Sequence, residues 1–163
     1  MTAITSLLAK NEQYARKFTK SDLPSRPATK VAIVTCMDAR FDPARALGLE
    51  EGDAHVIRNA GGVVTDDVIR SLVISQRLLG TEIVVAIHHT DCGMLTLDQE
   101  KLAAELEAET GTRPHFAFES FSDLEASVRE SLARIAASPF VAEKRSMHGF
   151  IYDVATGRLR EVT

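Results

Sequence analysis

The sequence predicts an α/β fold: a single domain over residues 1–163 with a mainly parallel mixed sheet flanked by helices. Two observations carry this. Lys30–Thr35 (KVAIVT) and Glu82–His88 (EIVVAIH) are near-continuous apolar, β-branched runs, the pattern of strands covered on both faces. Between them, Asp66–Leu79 places Val68, Leu72, Val73 and Leu79 at helical intervals, so strand, helix and strand make the crossover unit of a parallel sheet.

The remaining elements follow along the chain. Ile4–Phe18 carries apolar residues at roughly helical spacing, and Ser21–Thr29, with Pro24 and Pro27, reads as an extended arm, so residues 1–29 form a helix and arm attached to the body. Such an arm either embraces a second subunit or lies on its own domain. The first strand ends directly on Cys36. A short helix at Pro43–Leu47 precedes Gly48 and Gly52, then a second strand at Ala54–Arg58 that runs into Asn59-Ala60-Gly61-Gly62. Thr65 is the expected N-cap of the crossover helix and Gly80 its stop. The third strand leads straight into His89-Thr90-Asp91-Cys92. Helices are expected at Asp98–Glu109 and Asp123–Ala137, and a terminal hairpin at Met147–Val162 turning at Thr156-Gly157. Thr110–Ser122 has no readable pattern.

Charge and composition narrow the function. Lys plus Arg (19) against Asp plus Glu (23) leaves a net charge of −4, whereas a nucleic-acid binder of this size is normally basic, so no nucleic-acid partner is expected. Met1–Lys10 lacks the basic start of a signal peptide. The most apolar run, Ile83–Ile87, is far shorter than the roughly 18 residues of a membrane span. A soluble, cytoplasmic protein is expected. Two cysteines, Cys36 and Cys92, are too few for a disulfide framework, although one bridge remains open.

The chemistry-bearing residues gather at the ends of two strands. Cys36, Asp38 and Arg40 stand at i, i+2 and i+4, so a chain that stays extended projects all three from one face. Arg40 can hold Asp38 through paired charge-assisted hydrogen bonds and keep it ionised. His89 and Cys92 have the H-x-x-C spacing that lets an imidazole and a thiolate share one ion, with Gly93 permitting the turn. Two thiolates and an imidazole suit zinc rather than magnesium or calcium. Three protein ligands leave tetrahedral zinc one open position, the mark of catalytic sites, and ligands spread from Cys36 to Cys92 need a whole fold to assemble them. If the second strand pairs on the far side of the first, both groups flank the topological switch point where open α/β sheets place their sites.

Blander readings stand beside these. A strand-end cysteine is commonly a small buried hydrophobe, and a redox dithiol is the other reading of the pair, although no C-x-x-C occurs. His88 should point away from His89 as a packed or supporting residue, and His55, His115 and His148 read as surface histidines. The Asn59–Gly62 turn either brings backbone N–H groups to an anion or is simply a tight strand-to-helix turn.

C-x-D-x-R at Cys36–Arg40 with H-x-x-C at His89–Cys92, and the intervening Asn-Ala-Gly-Gly, resembles the β-class carbonic anhydrases, in particular their short bacterial and mycobacterial branch. The resemblance runs from about Lys30 through the terminal hairpin. It implies a Rossmann-like β-carbonic anhydrase fold, assembled as a homodimer or a dimer of dimers, with one zinc per chain held by Cys36, His89 and Cys92. It implies reversible hydration of carbon dioxide to bicarbonate and a proton by attack of zinc-bound hydroxide, with Asp38 accepting a hydrogen bond from the zinc-bound water and Arg40 positioning Asp38. Some members have a closed state in which the aspartate takes the fourth zinc position, making Asp38 a possible ligand. In the regulated subset that closure accompanies a bicarbonate pocket that typically includes a tryptophan; this chain has none, so that regulation is not expected. The same motifs suit hydrolases of carbonyl sulfide or carbon disulfide, and a non-catalytic zinc-binding protein is the alternative outside enzymes.

Overall fold

The computed structural model describes residues 2–162. Its element order is α1 (Ala3–Ala15), β1 (Val31–Cys36), α2 (Pro43–Leu47), β2 (Ala54–Asn59), α3 (Asp66–Arg77), β3 (Ile83–His89), α4 (Gln99–Thr110), α5 (Leu124–Ala137), β4 (Ser146–Tyr152) and β5 (Leu159–Val162). Single 3-10 turns at Ala60–Gly62 and Gly93–Leu95 follow β2 and β3. The five strands form one sheet in the order β2-β1-β3-β4-β5, parallel except for the β4–β5 hairpin. β1 therefore has β2 on one side and β3 on the other, and the chain reverses direction across the sheet at the ends of β1 and β3.

Alternation along the strands builds two apolar layers. On one face Ala32, Val34 and Val84 meet Val68 and Leu72 of α3 and Ile135 of α5. On the other, Ile33 and Ile87 pack with Phe41 and Leu49 from the segment around α2, and Phe41 stacks on Tyr152 at 4.2 Å between ring centroids. Helix starts are set by side-chain caps: Asp42, Thr65, Asp98 and Asp123 each accept from a backbone N–H in the first turn. α3 ends at Arg77 rather than Leu79, and Gly80, at φ +76°, reverses the chain just beyond.

α1 is shorter than the predicted Ile4–Phe18, and none of its residues is buried. Its apolar residues face solvent, with Ile4 64%, Leu7 60% and Leu8 62% exposed. The arm behind it is tied down by Ala28 and Thr29, whose N–H groups donate to the carbonyls of Gly52 and Asp53, and by Tyr14 and Lys20, which reach Glu51. Among the described residues, no helix is long and apolar enough to cross a membrane.

Candidate metal centre

β1 and β3 are hydrogen-bonded neighbours up to Thr35↔Ile87, so their carboxyl ends lie side by side. Cys36 is the last residue of β1, His89 the last of β3, and Cys92 ends the turn that follows. Cys36, His89 and Cys92, all buried, bring one ligand atom each to within 4.8 Å of one another. They form the metal-capable cluster among the described residues.

The surroundings prepare those atoms. His89 Nδ1 donates to the Thr90 carbonyl at 2.8 Å, which fixes the tautomer and leaves the Nε2 lone pair free. Nε2 is buried without a hydrogen-bond partner, a costly arrangement that a cation relieves. The Cys92 thiol, the adjacent His89 ring and the amides of Asp38 and Gly61 pull the Cys36 thiol well below its ordinary range against the cost of burial. Cys92, facing that thiolate, is pushed up, and His89 is raised chiefly by Cys36. Two thiol sulfurs and one imidazole competing for protons in one buried space are a donor set matched to a divalent, borderline-soft ion.

Asp38 and Arg40 come to the same place by a different route from the one expected. The chain does not stay extended after Cys36; it turns, with Phe41 N–H donating to the Asp38 carbonyl at 3.2 Å. Arg40 folds back on Asp38, with Nη2 2.8 Å from Oδ2 and Nε 3.1 Å from Oδ1, and the Arg40 amide adds a 2.8 Å bond to Oδ1. These bonds hold the Asp38 carboxyl well below the usual carboxylate range. Asp38 Oδ2 lies 3.7 Å from His89 Nε2, beside the ligand cluster and engaged by Arg40.

The turn after β2 has a structural job and a local electrostatic one. Gly62 sits at φ +70°, and a Cβ there would stand 2.7 Å from the Cys36 amide nitrogen, so only glycine lets this turn lie against the end of β1. The Gly61 amide, in the same turn, helps to lower the Cys36 thiol. His88 points away from His89 into the layer beneath α5: Nε2 donates to the Gly62 carbonyl at 3.1 Å and Nδ1 faces Ser127 Oγ at 3.1 Å, which satisfies a neutral ring.

Burial pushes His88 down to about 4 from an ordinary 6.5. The unfolded chain takes up this proton first as pH falls, so folding stability drops between pH 6.5 and about 4. In His88→Gln that part of the pH dependence is expected to vanish, which urea denaturation across this range measures.

Two neighbours escaped sequence reasoning. Arg58 donates through Nε to the Cys36 carbonyl at 2.9 Å and through Nη2 to the carbonyls of Asp38 (2.7 Å) and Phe41 (2.9 Å), bracing the loop that carries Asp38. Asp91 meets Arg40 Nη1 at 2.6 Å. Arg58 had one faint signal, its place directly before the Asn59–Gly62 turn. His55 is not a free surface residue: it is half-buried and bonds Ser75 Oγ at 2.7 Å. His115 is exposed, and His148 pairs with Ser146 and Glu161.

A family model described as carbonic anhydrase matches residues 31–159, from the first residue of β1 to the first of β5. The chain belongs to the carbonic anhydrase family. Within it, the β-class is the relevant branch: the chain is 55% identical over 163 residues to β-carbonic anhydrase 1 of Mycobacterium tuberculosis, covering all of this chain and 99% of that protein. The crystal structure of the carbonic anhydrase from Streptococcus mutans superposes with a TM-score of 0.93 at 47% identity, covering 100% of this chain and 99% of that one. A carbon disulfide hydrolase from Acidianus is 41% identical over 100 residues, 61% of this chain and 48% of that protein. The mixed, mainly parallel sheet flanked by helices is thus the β-carbonic anhydrase fold.

Proposed function

We propose that the chain is a zinc enzyme that reversibly hydrates carbon dioxide to bicarbonate and a proton. The observation that carries this is the ligand cluster of Cys36, His89 and Cys92 with an ionised Asp38 beside it, in a chain 55% identical to a β-carbonic anhydrase along its whole length. In this reading the three residues hold one zinc ion. When bound, zinc supplies the Lewis acidity that makes hydroxide available near neutral pH.

The chain's own residues supply orientation. An ionised carboxylate only accepts hydrogen bonds, so a water beside Asp38 must donate to it and turns its lone pair away, toward the substrate. Arg40 keeps Asp38 ionised and aimed. Asp38 held by Arg40 is the open arrangement; its movement to a fourth ligand position requires these bonds to break. Stopped-flow hydration of carbon dioxide, on protein of measured zinc content, tests the function: fast zinc-dependent turnover is expected. Silence at full occupancy, with hydrolysis of carbon disulfide or carbonyl sulfide, would favour the second reading that similarity to the Acidianus hydrolase supports.

The same reading makes the working unit a homodimer or a dimer of dimers. No described residue of α1 is buried and its apolar side chains Ile4, Leu7 and Leu8 are exposed, and Ile69, Val73 and Ile74 of α3 line an apolar groove with Phe140 that suits such a helix from a second copy. Sedimentation is expected to give at least twice the 17.8 kDa of the chain, and the double variant Leu7→Glu, Leu8→Glu to give the monomer. A wild-type monomer at micromolar concentration overturns the assembly. A reducing, cytoplasmic setting, which keeps both cysteines from being oxidised to a disulfide, belongs to this reading.

A further inference from the structure

Arg40 is shared. On one side Nε and Nη2 hold the carboxylate of Asp38; on the other, Nη1 donates to Asp91 Oδ2 at 2.6 Å and Nη2 to the Asp91 carbonyl at 3.0 Å. Asp91 belongs to the turn between His89 and Cys92, so one planar guanidinium joins the two loops that carry the metal ligands. We infer that Asp91 is a positioning residue: it fixes Arg40, and through it Asp38, in register with the His89–Cys92 turn. This rests on the function proposed above.

The geometry explains why a second anchor matters. Without the Asp91 carboxylate, Arg40 and Asp38 still grip one another on the loop that Arg58 braces, but only the Asp91 carbonyl then ties the guanidinium to the His89–Cys92 turn. The fork of a guanidinium has a fixed plane, so contacts on both edges determine its direction where one contact would let it pivot. Energy separates this role from a stabilising one. The Asp91 side chain is 78% exposed and that of Arg40 48%, and solvent screening leaves such a pair little contribution to folding. Screening also weakens any direct field of Asp91 at the reacting centre, so its effect passes through the orientation of Arg40.

The backbone of Asp91 specifies the variants. Its φ is +54°, a left-handed conformation that Asn and Gly accept and most other residues resist. Asp91→Asn keeps the turn and removes the charge; Asp91→Gly keeps the turn and removes the side chain. In the zinc-loaded protein both are expected to retain zinc and to lower kcat for carbon dioxide hydration about three- to tenfold, with KM within about twofold. The second readout needs no turnover: in ¹⁵N-labelled protein, the Arg40 Nε–H signal, assigned by its loss in Arg40→Lys, should weaken and broaden in both variants. Wild-type protein that fails to hydrate carbon dioxide overturns the function itself. Hydration by the wild type with kcat or the Arg40 signal unmoved in Asp91→Asn overturns only the role given to Asp91.

Discussion

Cys36→Ala and Cys92→Ala are each expected to give a folded protein that no longer keeps zinc through dialysis. Both side chains are small and end their elements, so alanine leaves the sheet and its two apolar layers intact. The metal loses far more. A site of three protein ligands reduced to two forfeits a thiolate bond, and at the scale of zinc affinities this costs about 3 kcal/mol or more, at least a hundredfold in binding. The remaining sulfur would also sit beside His89 without the ion that satisfies both. Elemental analysis of dialysed protein, with circular dichroism to establish the fold, reads the outcome. Full zinc occupancy in either variant removes that cysteine from the ligand set.

Asp38→Ala is expected to do the opposite: to keep its zinc and lose about a hundredfold or more of kcat. The variant leaves Cys36, His89 and Cys92 in place while taking away the acceptor that orients the attacking water. Asp38→Asn is the sharper version, because its amide can donate as well as accept and so no longer forces the water to turn its lone pair outward. Because Arg40 and its amide hold the Asp38 carboxyl well below the ordinary carboxylate range, Asp38 stays ionised throughout any neutral pH profile. The wild-type rate should therefore rise with pH for reasons other than Asp38. Turnover undiminished in Asp38→Ala ends its place in the reaction.

Much of this arrangement was written in local pattern. The β-branched runs set β1 and β3 within a residue, Thr65 marked a helix start that the structure keeps, and the ligand motifs fell at strand ends because a parallel sheet delivers its carboxyl termini to one edge. What stayed hidden depends on distant partners. Asp91 lies 51 positions from Arg40, and the carbonyls that Arg58 braces are 17 to 22 positions away, so no periodicity announces them. The exposure of α1 was equally invisible, since an apolar face in sequence does not say whether its cover comes from the same chain. Residues 111–122 form no regular element; a backbone bond from Phe121 N–H to the Met94 carbonyl ties them to the turn after Cys92.

The ladder between β1 and β3 carries one more implication. Five backbone-paired positions, Val31↔Ile83 through Thr35↔Ile87, bring the ligand-bearing strand ends together. That register, and not the local spacing of the ligands, sets Cys36 against His89, so a one-residue slip of β3 along β1 would turn every β3 side chain to the opposite face and carry His89 away from Cys36.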